Sequence, residues 1–260
     1  MEKVVEEWTK AWRKIRPDYD KSVYETLSSP DNQEFLKLLG KYVRKGCLVL
    51  EAGCGYGHKC VLFSKYYKAN VIGVDIVLEP LKALINYLSK DSHAQSLQIF
   101  VCGGDVTKLP FRDSIFDVIT SFGVVEHFRK DSEVTAALSE ARRVIKIGGY
   151  LILTIPNFAA TFRNKLVIAL TKGRFGMYHK PYTRSVLANL LKMVKGLQIV
   201  ESDFLSFGFR SLILSVVKSH SIEKTIYFLY HAVWRMLNFM LKIVSDNYQD
   251  PIYLVAKRIE

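Results

Sequence analysis

This 260-residue sequence is poor in cysteine, poor in proline and without a long apolar run, and each shortage excludes something. Four cysteines (Cys47, Cys54, Cys60 and Cys102) are too few for a disulfide scaffold at this length, and no CxxC pair marks a structural zinc. Seven prolines and 15 glycines rule out collagen-like or low-complexity character, and an apolar content of 49% rules out a disordered chain. The longest uncharged run, Ile147 to Phe162, is interrupted by Gly148, Gly149 and Pro156. It falls short of the ~20 apolar residues that a spanning helix needs. The opening MEKVVEEWTK has neither the basic region nor the apolar block of a secretory signal. A reduced, cytoplasmic protein is expected, one that meets a membrane only peripherally.

Acidic residues are missing from one stretch. Residues 157–200 carry Arg163, Lys165, Lys172, Arg174, Lys180, Arg184, Lys192 and Lys195 and no acid, and residues 157–260 supply +9 of the net +12. A solvated face mixes both signs, so this stretch points to a surface that faces anions: phosphate, carboxylate, nucleic acid or an acidic bilayer.

What the sequence does contain is a change of texture. Up to residue 45 it is helical: Val4, Val5, Trp8, Ala11, Trp12 and Ile15 recur at helical spacing, and Pro17 ends that helix. A second helix spans about Gln33 to Tyr42, with Asp31 or Asn32 as its N-cap. From Cys47 short apolar runs alternate with helical stretches. Strands are expected at 47–53, 70–76, 97–105, 116–124 and 150–157, with helices at 58–68, 79–90 and 134–145. Such alternation builds βα units and a parallel sheet covered on both faces. Beyond Pro156, helices are expected at 162–171 and at 184–194, the latter capped by Thr183, and two late strands, from Gln198 and from Pro251, form an antiparallel pair at the sheet edge. Between them Ile222, Ile226, Leu229, Val233, Leu237, Met240 and Val244 form one apolar helical stripe, opposite His231, Arg235, Asn238 and Lys242.

Three strand ends carry the chemistry. Glu51-Ala-Gly53-Cys-Gly55-Tyr-Gly57 closes the first strand, where open α/β sheets bind ligands and where glycine lets a ligand approach the backbone. The GxGxxG spacing is not met, because position 58 is His, and no Walker A Lys-Ser/Thr follows. Asp75, before Ile76 at the end of the second strand, can accept both hydroxyls of a ribose. Asp105, before Val106 at the end of the third, can accept an adenine amino group.

In this order the motifs EAGCGYG (51–57), VIGVD (71–75), GGDVTKLPFRDSIFDVI (103–119), VVEHF (124–128) and RRVIKIGGYLILTIPN (142–157) resemble the class I S-adenosylmethionine-dependent methyltransferases, over roughly residues 1–210. The texture is most similar to the branch that methylates small molecules, including quinone- and lipid-like acceptors. The resemblance implies a doubly wound, mostly parallel seven-stranded α/β sheet of Rossmann-like type. It would form a single domain with an N-terminal helical cap (1–45), a cofactor-binding core (46–157) and a lid with closing strands (158–260). It implies S-adenosylmethionine as cofactor, with Glu51, Gly53, Gly55 and Gly57 around the methionine part, Asp75 and Ile76 at the ribose, Asp105 and Val106 at the adenine and Phe122 beside the cofactor.

Methyl transfer from a sulfonium needs alignment and exclusion of water more than covalent help. A hydroxyl acceptor also needs a base with pKa near neutral, and His127 is the candidate. The alternative is that Glu126 and His127 cap the next helix and pack locally. Related quinone and RNA-end enzymes carry an ExxEH metal pattern here, but Gly123 replaces the first Glu, so no metal is expected. His179 and Tyr182, in the basic region after the fifth strand, are the candidate substrate residues. Three functions compete. The first is a small-molecule methyltransferase whose acceptor is apolar or anionic, with the basic stretch and the greasy helix touching an anionic membrane. The second is a nucleic-acid methyltransferase, disfavoured because no RNA-binding module and no Asn-Pro-Pro-Tyr motif is present. The third is a non-catalytic cofactor-binding protein, disfavoured by the intact Glu51, Asp75 and Asp105.

Overall fold

The computed structural model describes residues 2–15, 18–28, 32–90, 94–156, 180, 182–204 and 251–260. Three helices open the chain: α1 (Glu2–Ile15), α2 (Tyr19–Ser28) and α3 (Asn32–Leu39). Strands and helices then alternate as β1 (Leu48–Ala52), α4 (His58–Tyr67), β2 (Asn70–Asp75), α5 (Leu78–Lys90), β3 (Ile99–Gly103), β4 (Phe116–Phe122), α6 (Asp131–Val144) and β5 (Ile145–Ile155). The remaining elements are α7 (Arg184–Met193), β6 (Leu197–Phe204) and β7 (Ile252–Arg258).

The strands form one sheet in the order β3-β2-β1-β4-β5-β7-β6. All neighbours pair in parallel except β7, which runs antiparallel between β5 and β6. The late antiparallel pair expected from the sequence therefore closes that edge. Alternation along β1 sends Val49 to one face and Leu50 to the other. On the Val49 side, Val23 of α2, Phe35 and Leu38 of α3 and Phe63 of α4 pack with Val71, Val118 and Ile152. On the Leu50 side, Val134 and Leu138 of α6 and Leu187 and Leu191 of α7 pack with Ile119, Leu151 and Leu153. Burial from both sides is why the central strands read as nearly continuous apolar runs. The chain winds outward from β1 to β3, then returns to place β4 on the other side of β1. That reversal between β1 and β4 leaves a crevice at their C-terminal ends, the place where open sheets of this kind bind ligands.

Two boundaries differ from expectation. β5 begins at Ile145 rather than near Tyr150: Ile145 pairs with Phe116, the register shifts before Val118, and Gly148 and Gly149 sit inside the irregularity. A Cβ on Gly149 would stand 2.7 Å from the Asp117 carbonyl oxygen, so the glycine allows a bulged close approach instead of ending the strand. α6 begins three residues before Val134, because its first turn is polar. The Glu133 carboxylate accepts from the backbone N–H of Arg129 (3.1 Å) and Lys130 (2.9 Å). Thr183 caps α7 as expected, its Oγ1 accepting from the N–H of Val186 at 3.4 Å. The helix expected at 162–171, the amphipathic stripe of 222–244 and His179 lie outside the described residues. Among the described residues no helix is long and apolar enough to cross a membrane.

Candidate cofactor and acceptor site

The glycine turn leaves β1 and immediately ties itself to β2. The N–H groups of Gly53 and Cys54 both donate to the Val74 carbonyl, at 2.8 and 2.9 Å. Gly53, Gly55 and Gly57 have φ of 79°, 51° and 70°, a region that L side chains avoid. The glycine positions also have no room for a side chain: a Cβ on Gly53 would meet Val124 at 2.5 Å, and one on Gly55 would meet the Trp12 ring at 2.7 Å.

Asp75 is buried at the end of β2 and braces this turn. Its Oδ2 accepts from the Gly55 N–H at 2.8 Å and its Oδ1 from the Val77 N–H at 2.9 Å. Burial raises its pKa, and these backbone donors act against that rise. Each oxygen keeps a further lone pair for a ligand hydroxyl. Ile76 is half-buried beside it. Asp105 forms an Asx turn in which Oδ1 accepts from both the N–H and the hydroxyl of Thr107, at 2.8 Å each. Val106, next to it, lines a small apolar cavity with Ala52, Ile119, Val124 and Leu138, between the sheet and α6.

Glu51 lies lower in the strand, 2% exposed. The Thr120 hydroxyl donates to its Oε2 at 2.5 Å, and burial pushes its carboxyl up to about 8. Lys59, on the first turn of α4, is brought down to about 8 by desolvation while Glu51 pulls it back up, and its Nζ stands 4.3 Å from the centre of the Phe35 ring. Phe122 joins that aromatic group, 4.8 Å from Phe35 and 6.3 Å from Phe63. Its ring is thus committed to the α3–α4 side of the sheet.

After β4 the chain makes a 3-10 turn, Val125–His127. The His127 ring meets Trp8 of α1 edge-on at 4.6 Å. The cap of α6 is made by Glu133, so Glu126 and His127 do not serve that purpose. Glu126 is 2% exposed, its Oε2 has no hydrogen-bond partner, and burial pushes its carboxyl up to about 8. Tyr182 departs from expectation. Its ring is 0% exposed within the core on the α6–α7 side, with its hydroxyl 3.4 Å from Asp131 Oδ1, so it is packing and not a pocket wall. Among the described residues no cluster of three or more His, Cys, Asp or Glu could hold a metal ion.

One feature was invisible in the sequence beyond a helical stripe. α1 lies across the C-terminal ends of the strands. Trp12 covers Gly55, Trp8 stacks on Trp12 at 5.8 Å and reaches His127, and the Tyr56 hydroxyl donates to the Trp12 carbonyl at 3.3 Å. Arg13 pairs with Glu79 of α5 at 3.0 Å, and Glu7 lies 3.9 Å from Arg129 after β4. The signal available was two tryptophans four residues apart, on one helical face.

Residues 50–153 match the methyltransferase domain family. An uncharacterized methyltransferase of Schizosaccharomyces pombe is 37% identical over 115 residues, covering 43% of this chain and 40% of that protein. A probable tRNA methyltransferase 9B of Bos taurus is 32% identical over 116 residues, covering 43% of this chain and 22% of that one. Among solved structures, Haemonchus contortus phosphoethanolamine N-methyltransferase 2 in complex with S-adenosyl-L-methionine has the same fold at a TM-score of 0.62 and 16% identity, covering 92% of this chain and 56% of that one. The match therefore spans less than half the length of these two curated relatives. Residues 50–153 are thus a methyltransferase domain by their match, and the sheet order and strand-end motifs are consistent with a class I S-adenosylmethionine-dependent methyltransferase. The cofactor of that family is S-adenosylmethionine, and the residues present fit it. A turn with three positive-φ glycines lies at the switch point, and Asp75 and Asp105 retain acceptor capacity at adjacent strand ends.

Proposed function

We propose that the chain as a whole is a methyltransferase that acts on a small-molecule acceptor, built as one domain of cap, core and lid. Glu51, Gly53, Gly55 and Gly57 hold the methionine part of the cofactor, Asp75 and Ile76 its ribose, and Asp105 and Val106 its adenine. When bound, the cofactor supplies a methyl group already activated on a sulfonium. The chain's own task is to align an acceptor with that methyl group and keep water away. The observation that carries the small-molecule reading is the roof made by α1: Trp12 on Gly55 and Trp8 on His127 close the strand ends from above. An enclosed site of that kind suits a compact acceptor better than a polymer, and His127 stands at its edge.

Transfer to tRNA is the second reading, favoured by relatives such as the bovine protein named a tRNA methyltransferase and by the net charge of +12. The test uses S-adenosylmethionine with a radiolabelled methyl group, incubated with the protein and a native-cell extract and then fractionated. Label in small-molecule or organic-soluble material is the expected result. Label confined to nucleic acid overturns the small-molecule assignment in favour of tRNA.

A further inference from the structure

The turn after β4 holds a side chain that neither the packing of the sheet nor the cofactor residues use. Glu126 is almost fully buried, and one of its oxygens, Oε2, has no hydrogen-bond partner. Buried polar atoms are nearly always satisfied, and an exception in a cleft points to a ligand contact or to proton transfer.

We propose that Glu126 is the general base of the methyl transfer and that the acceptor is methylated on a nitrogen or oxygen that carries a proton. This rests on the methyltransferase reading above. The place is right. Glu126 sits on the first turn beyond β4, beside the switch point, and Val124, two residues earlier, closes directly over Gly53 of the cofactor turn. The backbone that carries it is held from two directions: the Lys180 N–H donates to the Glu126 carbonyl at 2.6 Å, and its neighbour His127 rests on Trp8. Gly123, at φ 69°, keeps the space beside the carboxyl clear, since a Cβ there would stand 3.4 Å from Oε1. The result is a fixed, buried carboxyl with one oxygen that no group of the chain satisfies.

The chemistry follows from that oxygen. A lone pair on the acceptor nitrogen or oxygen forms the new bond to the methyl carbon while the C–S bond breaks. The electron pair of that bond goes to sulfur, and the acceptor's proton passes to Glu126 Oε2. A base is most effective when its pKa lies near the working pH, and burial holds this carboxyl up near 8. The charged and titratable groups around the turn are His127 and Arg129 on the turn itself, Glu7 of α1 against Arg129, and Lys180 with Asp131, which pair with each other at 2.6 Å.

The test compares the wild-type chain with Glu126→Gln and Glu126→Asp. Each is measured for S-adenosylmethionine affinity by calorimetry and for radiolabelled methyl transfer into a native-cell extract between pH 6 and 9.5. Glu126→Gln keeps the shape and removes the basicity. Its transfer rate is expected to fall roughly 100-fold or more with cofactor affinity within about twofold of wild type. The wild-type rate should climb with pH and level off above about 8; Glu126→Gln should lose that climb, and Glu126→Asp should recover part of the rate. Full activity in Glu126→Gln, an unchanged pH climb, or label found on carbon overturns the inference and leaves the methyltransferase reading standing. A wild-type chain that binds no cofactor, or that binds it and labels nothing, overturns that reading and this inference together.

Discussion

The ends of β1, β2 and β3 and the turn after β4 lie side by side, yet they are built on different terms. In the first region carboxylates already meet backbone donors: Asp75 accepts from Gly55 and Val77, and Asp105 from Thr107. The glycine turn is bonded to Val74 before any ligand arrives. In the second region Glu126 keeps an unpartnered oxygen, and His127 leans on a tryptophan from the opposite end of the sequence. The first region is organised by bonds between near neighbours in the fold, so its shape precedes binding. The second leaves a buried oxygen that its own residues do not satisfy. Cofactor affinity should therefore respond to changes in the first region and survive changes in the second, whereas transfer should respond to both.

The strongest way to break that distinction is to disorder the glycine turn. Gly57 has φ 70°, and a Cβ there would stand 2.3 Å from Cδ2 of Leu84, a fully buried side chain of α5. Gly57→Val combines a left-handed backbone with an overpacked contact and should cost about 3 kcal/mol or more. Urea denaturation should show the lowered midpoint, and calorimetry should show cofactor binding lost with it. A Gly57→Val chain that binds the cofactor normally would mean that the turn is not the shaped element.

A second test of the first region is its pH response. His58 follows the turn, its Nε2 2.7 Å from the Ser22 hydroxyl and its ring stacked on Tyr19 at 5.3 Å. Burial, with Lys59 beside it, pulls the imidazole down to about 4 from an ordinary 6.5. A folded pKa below the unfolded one gives stability that is present above about 6.5 and lost as pH falls towards 4, up to ~3 kcal/mol for a shift of this size. Glu51 and Glu126, both held up near 8, act with the opposite sign over an overlapping window. The readout is therefore the difference between wild type and His58→Gln, which should narrow on acidification from pH 7 to 5. A constant gap would show that His58 is not held neutral.

Asp75 sharpens the comparison directly. Asp75→Ala leaves the N–H groups of Gly55 and Val77 without their acceptors and should cost about 2 kcal/mol, with cofactor affinity down at least tenfold. Glu126→Gln should leave that affinity alone. Equal effects of the two substitutions on cofactor binding would erase the boundary between the regions.

Legibility in the sequence followed the same boundary. Asp75, Asp105 and the glycine turn could be found because each is a strand end, and strand ends are local patterns of apolar runs and breakers. The antiparallel closing pair and the Thr183 cap were readable for the same reason. The roof was not. Helical spacing of Trp8 and Trp12 tells which face of α1 is apolar but not that this face lies over Gly55, a contact spanning more than forty residues. Tyr182 misled in the opposite direction: a tyrosine in a basic loop suggests a substrate contact, while packing against α6 and the sheet draws its ring fully inside. Gly148 and Gly149 suggested a strand boundary because a bulge and a break carry the same residues until the partner strand is known.

The smallest expected effects concern how α1 is held across both regions, by aromatic packing and by two ion pairs. Trp8→Ala removes the contacts with His127 and Trp12 and should cost about 1 kcal/mol, with methyl transfer reduced more than cofactor affinity because the loss falls on the second region. Arg13→Ala removes the bond to Glu79 in the first region, but the Arg13 side chain is 67% exposed, so the pair is screened by water and salt. It should change stability by less than about 0.5 kcal/mol and cofactor affinity by less than about twofold even at low salt. If Arg13→Ala instead loosened cofactor binding severalfold, and more so at low salt, charge rather than Trp12 on Gly55 would be what seats the helix, and the first region would depend on α1 as much as the second does.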